Sequence, residues 1–436
     1  MNTRNLTHIC LAFWGFTIAR PASADIQYAG VNLSGAEFGT VSSSGGALPG
    51  TYNSQYIYPN STEVDYYRSR GMNIIRLPFR WERLQRTNNA ALDSTELGRM
   101  NTFVSYATGH GMYVILDPHN FQRYWPDIST FDSMQSGNVG VVGGAIVPDS
   151  AFSNFWFQVA SIYRTNDHVI FGLMNEPNAV SETQLVTSEN MAIAAIRMAG
   201  ATNMIFVLGN RWTGAWTWSQ SDGNGTANSV AMLGIVDPGG NCIFEVHQYL
   251  DADGSGSNDG VVSADVGWQR LTNFTAWARA NQVKGFLGEF GVPGNTIGGS
   301  GLGGPALTNM LSYIRTNSDV WLGWTYWGGG PWWGSNPTFP IEPSNINNPT
   351  DQPTMSIIKQ FLPLPLPTLQ LVANNQFRLS VPPGFVYQPQ FSSNLVSGAW
   401  TAYGPSFMGN GATTNITMQT GPGSQGFYRV RVSHAP

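Results

Sequence analysis

The chain has 436 residues, with 42% hydrophobic, 12% aromatic and only 11% charged side chains and a formal net charge of −5. That length allows one large domain and a small one, and the charge content lies well under the roughly 25% of an average globular domain. The lack of any basic run argues against nucleic acid and anionic membranes as partners. A surface rich in Gly, Ser, Asn, Thr and aromatic residues suits an uncharged, hydroxyl-bearing partner.

The first 24 residues read as a secretory leader. Arg4 precedes an apolar run at 9–19 (ICLAFWGFTIA), and Ala22-Ser23-Ala24 fits a small-x-small cleavage pattern. The apolar run is too short to span a bilayer, so the expectation is a secreted protein with no membrane attachment after cleavage. Cys10 lies in this leader, which leaves Cys242 alone and excludes an internal disulfide. Cys242 opens an apolar run and reads as a buried, inert thiol.

Eight short apolar runs ending in polar or aromatic residues follow. They are YAGVNLSG (28–35), NIIRLPF (73–79), YVILDPH (113–119), VIFGLMNEP (169–177), MIFVLGNR (204–211), IFEVHQYL (243–250), KGFLGEFG (284–291) and WLGWTYWG (321–328). Helix signals lie between several of them, at 61–70, 94–110, 153–164, 182–198, 267–281 and 306–317, with Gly71, Gly111 and Gly200 as stops. Near-continuous apolar strands alternating with helices predict an α/β fold, a parallel sheet closed into a (β/α)8 TIM barrel over 25–360. No glycine-rich phosphate fingerprint follows the first strand, which disfavours an open dinucleotide-binding sheet. A Pro-rich linker occupies 361–367, and 368–436 reads as a small all-β domain of alternating strands and turns.

Catalytic groups of such barrels project from the C-terminal strand ends. The ends here supply Arg76, His119 and Asn120, Asn175 and Glu176, Asn210 and Trp212, His247 and Tyr249, Glu289, and Trp327. Two glutamates facing one cavity oppose joint ionisation, so one carboxyl stays protonated beside an ionised partner. Glycoside hydrolysis needs that pair. Arg76 is expected to lower the Glu289 carboxyl, and more apolar neighbours are expected around Glu176. No metal or organic cofactor is required. Sugar rings stack on aromatic faces, and Trp81, Trp125, Trp212, Trp216, Trp218, Trp332 and Trp333 lie at or past strand ends; about half are expected to line a cleft.

These residues carry a resemblance. The barrel resembles glycoside hydrolase family 5, close to its secreted fungal and bacterial endoglucanases, over roughly residues 27–335. The matching stretches are AGVNLSGAEFG, RLPFRW, DPHN, LMNEP, AIRMAGAT, FEVHQYLDADGSG, GEFG and SDVWLGWTYWGGG. The resemblance implies Glu176 as acid/base and Glu289 as nucleophile of a retaining reaction on β-glucan polysaccharide. It implies Arg76 as the group holding the nucleophile ionised and Asn175 as a ligand of the sugar 2-hydroxyl. It further implies His119, His247 and Tyr249 as a polar wall and Trp327 as an aromatic floor. It ranks Trp81, Trp125 and Trp212 first among the cleft tryptophans, and a monomer is expected. A related substrate such as mannan, xyloglucan or β-1,3-glucan, or a non-catalytic glucan binder, remains open at this point.

Two segments stand apart. DADGSGSND (251–259) places Asp251, Asp253, Ser255, Gly256 and Asp259 at calcium-loop positions, but Val262 stands where the bidentate Glu belongs; the resemblance implies instead a flexible loop beside the cleft. In the C-terminal domain Tyr387, Trp400, Tyr403 and Phe407 are either sugar-stacking residues or core aromatics of a small β domain.

Overall fold

The computed structural model describes residues 25–39, 48–125, 140–221, 225–333, 337–365, 369–373, 376–392, 399–417 and 427–434. The expected leader at 1–24, Cys10 and the end of the linker at 366–367 lie outside them. Each of the eight apolar runs forms a parallel strand: β1 Tyr28–Leu33, β2 Ile74–Phe79, β3 Tyr113–Pro118, β4 Val169–Gly172, β5 Ile205–Leu208, β6 Cys242–His247, β7 Gly285–Glu289 and β8 Trp321–Gly329. Neighbours in sequence are neighbours in space, and β8 pairs with β1 to close the barrel. The eight-stranded parallel barrel of the sequence reading is thus the observed fold.

The helices that follow strands are α1 Ser61–Ser69, α2 Ser94–Gly109, α3 Asp149–Tyr163, α4 Glu182–Met198, α5 Asn228–Ala231, α6 Val266–Ala280, α7 Gly303–Thr316 and α8 Pro353–Ile358, and a further short helix spans Trp81–Leu84. The caps of α1 and α2 sit one residue earlier than their serines suggest, and α3 opens at Asp149, four residues before the expected start. Asn60 accepts from Thr62 N while Glu63 reaches back to Asn60 N, a reciprocal capping box, and Asp93 accepts from Glu96 N. Gly111 (φ 82°) follows α2 and Gly200 (φ 81°) follows α4, each in the left-handed region that lets a helix stop at little steric cost. The fifth unit departs from expectation. No helical pattern is visible in the sequence between 211 and 242, and among the described residues only the single turn α5 and a 3-10 turn form there.

Strand alternation builds the barrel interior in two layers. The lower is an apolar plug with one side chain from every strand: Tyr28, Ile74, Ile115, Ile170, Phe206, Ile243, Phe286 and Leu322. Two residues further along β2, β3 and β6 the same face presents Arg76, Asp117 and Glu245, all buried. The plug seals one end, so this charged layer faces only the C-terminal mouth.

Contacts divide the described chain into a unit over Asp25–Pro363 and a second from Leu364 on. In the second, β9 Leu369–Ala373, β10 Gln376–Ser380 and β14 Thr413–Thr417 form one antiparallel sheet. Strand β11 Phe385–Ser392 pairs with β12 Thr401–Ala402, β13 Phe407–Met408 and β15 Phe427–His434 in another. Tyr387 is fully buried and stacks on Phe407 at 5.8 Å, which makes it a core aromatic and removes it as a sugar platform. Among the described residues no helix is long and apolar enough to cross a membrane.

Candidate active site

Arg76 is the hub. It is fully buried, and its guanidinium meets five groups from five strands or strand ends. Nη1 lies 2.8 Å from Glu289 Oε1, 3.1 Å from Asp117 Oδ2 and 3.1 Å from Asn32 Oδ1; Nη2 donates to Asn175 Oδ1 at 2.7 Å. Nε lies 2.8 Å from Glu245 Oε1, a charge contact without hydrogen-bond alignment. Burial alone would lower the guanidinium pKa, but Asp117, Glu245 and Glu289 outweigh it and hold the charge firmly.

Two branches leave this hub. On one side His119 Nδ1 lies 2.9 Å from Asp117 Oδ2, and its Nε2 lies 3.2 Å from Asn175 Nδ2. Burial lowers the His119 pKa to about 3 against the pull of Glu289, so the ring is neutral. Its Nδ1–H donates to Asp117, and Nε2 accepts from the Asn175 amide. Asn175 is thereby held at both ends, by Arg76 and by His119. The Asp117 carboxyl is raised to about 7 by burial, with Arg76 pulling the other way.

On the other side His247 Nδ1 lies 2.7 Å from Glu176 Oε1 and 3.6 Å from Glu289 Oε2, and its Nε2 lies 3.2 Å from Glu245 Oε1. Burial disfavours its cation, yet Glu289, Glu176 and Glu245 together raise the ring to about 10. Tyr249 Oη donates to Glu289 Oε2 at 3.1 Å. The expectation that Arg76 would leave Glu289 below its ordinary range is corrected. Burial raises the Glu289 carboxyl, with Glu176 adding, and His247 and Arg76 do not fully offset that. Glu176 likewise sits beside a histidine rather than among apolar groups.

Strand β4 stops at Gly172, and Glu176 projects from the turn beyond it. There the backbone enters the left-handed region at φ 41°, uncommon for a side-chain-bearing residue before proline. Asn175 N donates to Pro118 O, and Phe121 N donates to Asn175 O, tying the turn to the end of β3. Such strain costs about 1–3 kcal/mol and persists where the surroundings impose it. One carboxylate oxygen from each of Glu176 and Glu289 and one ring nitrogen of His247 lie within 4.8 Å of one another, already joined by the direct contacts above.

The aromatic expectations divide. Trp327 stacks on His119 (5.6 Å, 17° between planes) and meets the edge of Trp333, which itself meets Phe38. Trp212 is 54% exposed, and its backbone N–H bonds to Pro177 O, next to Glu176. Trp216 and Trp332 are also exposed, and Arg270 covers one face of Trp216. Trp81 does not line a cleft. It is fully buried against Tyr124, Phe152 and Phe155, because it opens a short helix that packs its ring inward. Trp218 is also core, and Trp125 is buried with Arg80 over its ring. Asn120 is corrected as well. It turns away from the mouth, its amide donating to both oxygens of buried Glu82 and its carbonyl accepting from Trp81 N. Asn210 is similarly spent on Val180 O and Glu182.

Sequence reasoning missed Asp117, Glu245, Asn32 and Glu82. For two of them a signal existed: Asp117 and Glu245 each stand two residues before a candidate histidine, which places them on the same strand face. In the 251–259 loop, Asp251 is buried and accepts from Gly256 N, Asn258 N and Ser255 Oγ, so its carboxylate is committed to the loop itself.

A closed parallel barrel with paired carboxylates at its C-terminal mouth, flanked by a buried cation and exposed tryptophans, defines a barrel hydrolase of sugar chains. The family model for cellulase (glycosyl hydrolase family 5) matches residues 26–330. The chain belongs to that family and is a glycoside hydrolase. It is similar to an endoglucanase of Neurospora crassa, 37% identical over 309 residues that cover 70% of each chain. Among solved structures it is similar to an endo-β-1,4-glucanase of Xanthomonas axonopodis pv. citri, 41% identical with a TM-score of 0.69, covering 77% of this chain and 98% of that one. It is also similar to XacCel5A solved with cellopentaose, 40% identical with a TM-score of 0.69, covering 77% and 99%.

Proposed function

We propose that this chain is an exported, retaining endo-β-1,4-glucanase that cuts internal bonds of cellulose-type β-glucan, with Glu289 as nucleophile and Glu176 as acid/base. The observation that carries this reading is the carboxylate pair. One oxygen of Glu176 and one of Glu289 lie within 4.8 Å of each other. That suits the roughly 5–5.5 Å of a double displacement rather than the roughly 6.5–9.5 Å that leaves room for a directly attacking water.

In this reading Glu289, held by Arg76 and Tyr249, attacks the anomeric carbon while Glu176 gives its proton to the departing oxygen. Glu176 then takes a proton from water, which frees the sugar from Glu289. Asn175 has one amide hydrogen to spare beyond His119, and that donor suits the sugar 2-hydroxyl. Trp327 supplies a flat face beneath the reacting sugar, and Trp212, beside the Glu176 turn, a second face on the leaving-group side. Names of relatives supply the bond type, since they are endoglucanases and endo-β-1,4-glucanases. Export rests on the charged, apolar and small-residue pattern of the first 24 residues.

The test is hydrolysis of carboxymethyl-cellulose by folded Glu176→Gln and Glu289→Gln. Each is expected to lose activity by about 10³-fold or more, and near-normal turnover in either removes the assignment. A panel with mannan, xyloglucan and β-1,3-glucan fixes the substrate, and preference for one of these overturns the cellulose reading alone.

A further inference from the structure

We propose that Glu245 is a positioning residue of this site. Its single buried carboxylate clamps the His247 ring as a doubly protonated cation between the two glutamates, so that negative charge passing from one to the other stays beside a fixed positive group. The inference rests on the reading of Glu176 and Glu289 given above.

The geometry is specific. Glu245 Oε1 lies 2.8 Å from Arg76 Nε and 3.2 Å from His247 Nε2. The opposite ring nitrogen, Nδ1, faces Glu176 Oε1 at 2.7 Å and Glu289 Oε2 at 3.6 Å. With Glu245 at Nε2 and, at Nδ1, a glutamate pair that carries one negative charge between its two members, the ring meets a negative group on each side by donating from both nitrogens, which is the imidazolium. Glu245 and His247 sit two apart on β6 and so share its inward face. The space for the carboxylate is made by Gly288, immediately before Glu289. A Cβ there would stand 1.9 Å from Glu245 Oε1. The other oxygen of Glu245 is buried and has no hydrogen-bond partner among the described residues, a cost of about 1–3 kcal/mol that stability alone does not explain. Arg76 already has Asp117 and Glu289 for charge balance, so the distinctive partner of Glu245 is His247.

The charge bookkeeping gives the clamp its use. Before the first displacement the negative charge is on Glu289 and the proton on Glu176. As Glu289 bonds to the anomeric carbon, the bond from that carbon to the leaving oxygen breaks, and the Glu176 proton moves to that oxygen. The negative charge is now on Glu176, and the net charge is unchanged. His247 touches both carboxylates and is nearer the one that ends up charged. Arg76, Asp117 and His119 are the other titratable or charged groups packed around it.

The experiment compares the full chain with Glu245→Gln, following the imidazole nitrogens of His247 by NMR on histidine-labelled protein and the pH profile of kcat/KM. Removing a neighbouring negative charge makes the cation easier to deprotonate. His247 is therefore expected to lose its proton at least about one pH unit lower in the variant. The alkaline limb of activity should move down with it, and activity should recover towards the parent level as pH falls. An unmoved His247 titration, or a loss of activity equal at every pH, overturns the proposal and leaves Glu245 a packing residue. Because the titration needs no turnover, it fails or holds independently of the roles of Glu176 and Glu289. If Glu245→Gln does not fold, Gly288→Ala is read in the same way, since its methyl group displaces the carboxylate without removing it, and the same downward shift is expected.

Discussion

Arg76 Nη1 lies 2.8 Å from Glu289 Oε1, and both residues are buried. The same guanidinium faces Asp117 and Glu245, so removing it strands three acids in the barrel. Breaking a buried charge network by deleting one member costs about 3–5 kcal/mol. Arg76→Met is expected to lower Tm by on the order of 10 °C and to abolish activity. Arg76→Lys keeps the charge but lacks the fork that reaches Glu289 and Asn175 together. Its kcat/KM should fall about 100-fold or more with a smaller Tm loss. Thermal melts and kinetics on both variants check this, and an unchanged Tm in Arg76→Met would remove the network argument.

The barrel was legible because a parallel sheet buried on both faces leaves nearly continuous apolar runs, and all eight were visible. Asn175, Glu176, His247 and Glu289 could be picked out because each stands at the polar end of such a run, and Arg76 because it is the one charge inside its own run. What was not legible depends on turns that alternation does not reach. Asn120 follows His119 by one residue, yet the left-handed turn at Phe121 and Gln122 sends its amide down to Glu82. Trp81 follows β2 just as Trp212 follows β5. One opens a helix that carries its ring into the core, and the other sits in a left-handed turn, with Trp212 at φ 54°, that leaves its ring in solvent.

That contrast gives a paired prediction. Trp81→Ala empties a fully buried site among Tyr124, Phe152 and Phe155 and should cost about 3–5 kcal/mol of stability. Trp212→Ala removes a ring 54% exposed at the mouth and should leave Tm nearly unchanged. Its effect should fall on substrate, with KM for soluble cello-oligosaccharides rising roughly tenfold, equivalent to about 1.4 kcal/mol of lost stacking. Melting curves and steady-state kinetics on the two variants separate the roles. A large Tm loss in Trp212→Ala with unchanged KM would reverse the assignment.

Glu37, in the loop after β1, offers a test by pH. Its Oε2 accepts from Gly35 N at 2.8 Å, its Oε1 is buried with no hydrogen-bond partner among the described residues, and burial raises its carboxyl to about 7 from a reference of 4.5. Below the reference value the folded and unfolded chains both hold the proton, and the group imposes no penalty. Between about 4.5 and about 7 the unfolded chain ionises while the folded one does not, so the folded state binds more protons and stability falls as pH rises. Above about 7 the penalty is complete. Glu37→Gln stays neutral throughout and should escape it. The Tm of the variant minus that of the parent is therefore expected to be several degrees more positive at pH 8 than at pH 4.5. Asp117 and Glu342, also raised to about 7 by burial, act in the same direction in both proteins and cancel in the difference. Calorimetry at the two pH values decides the matter, and an equal Tm difference at both would mean that Glu37 is already ionised in the folded chain at pH 4.5.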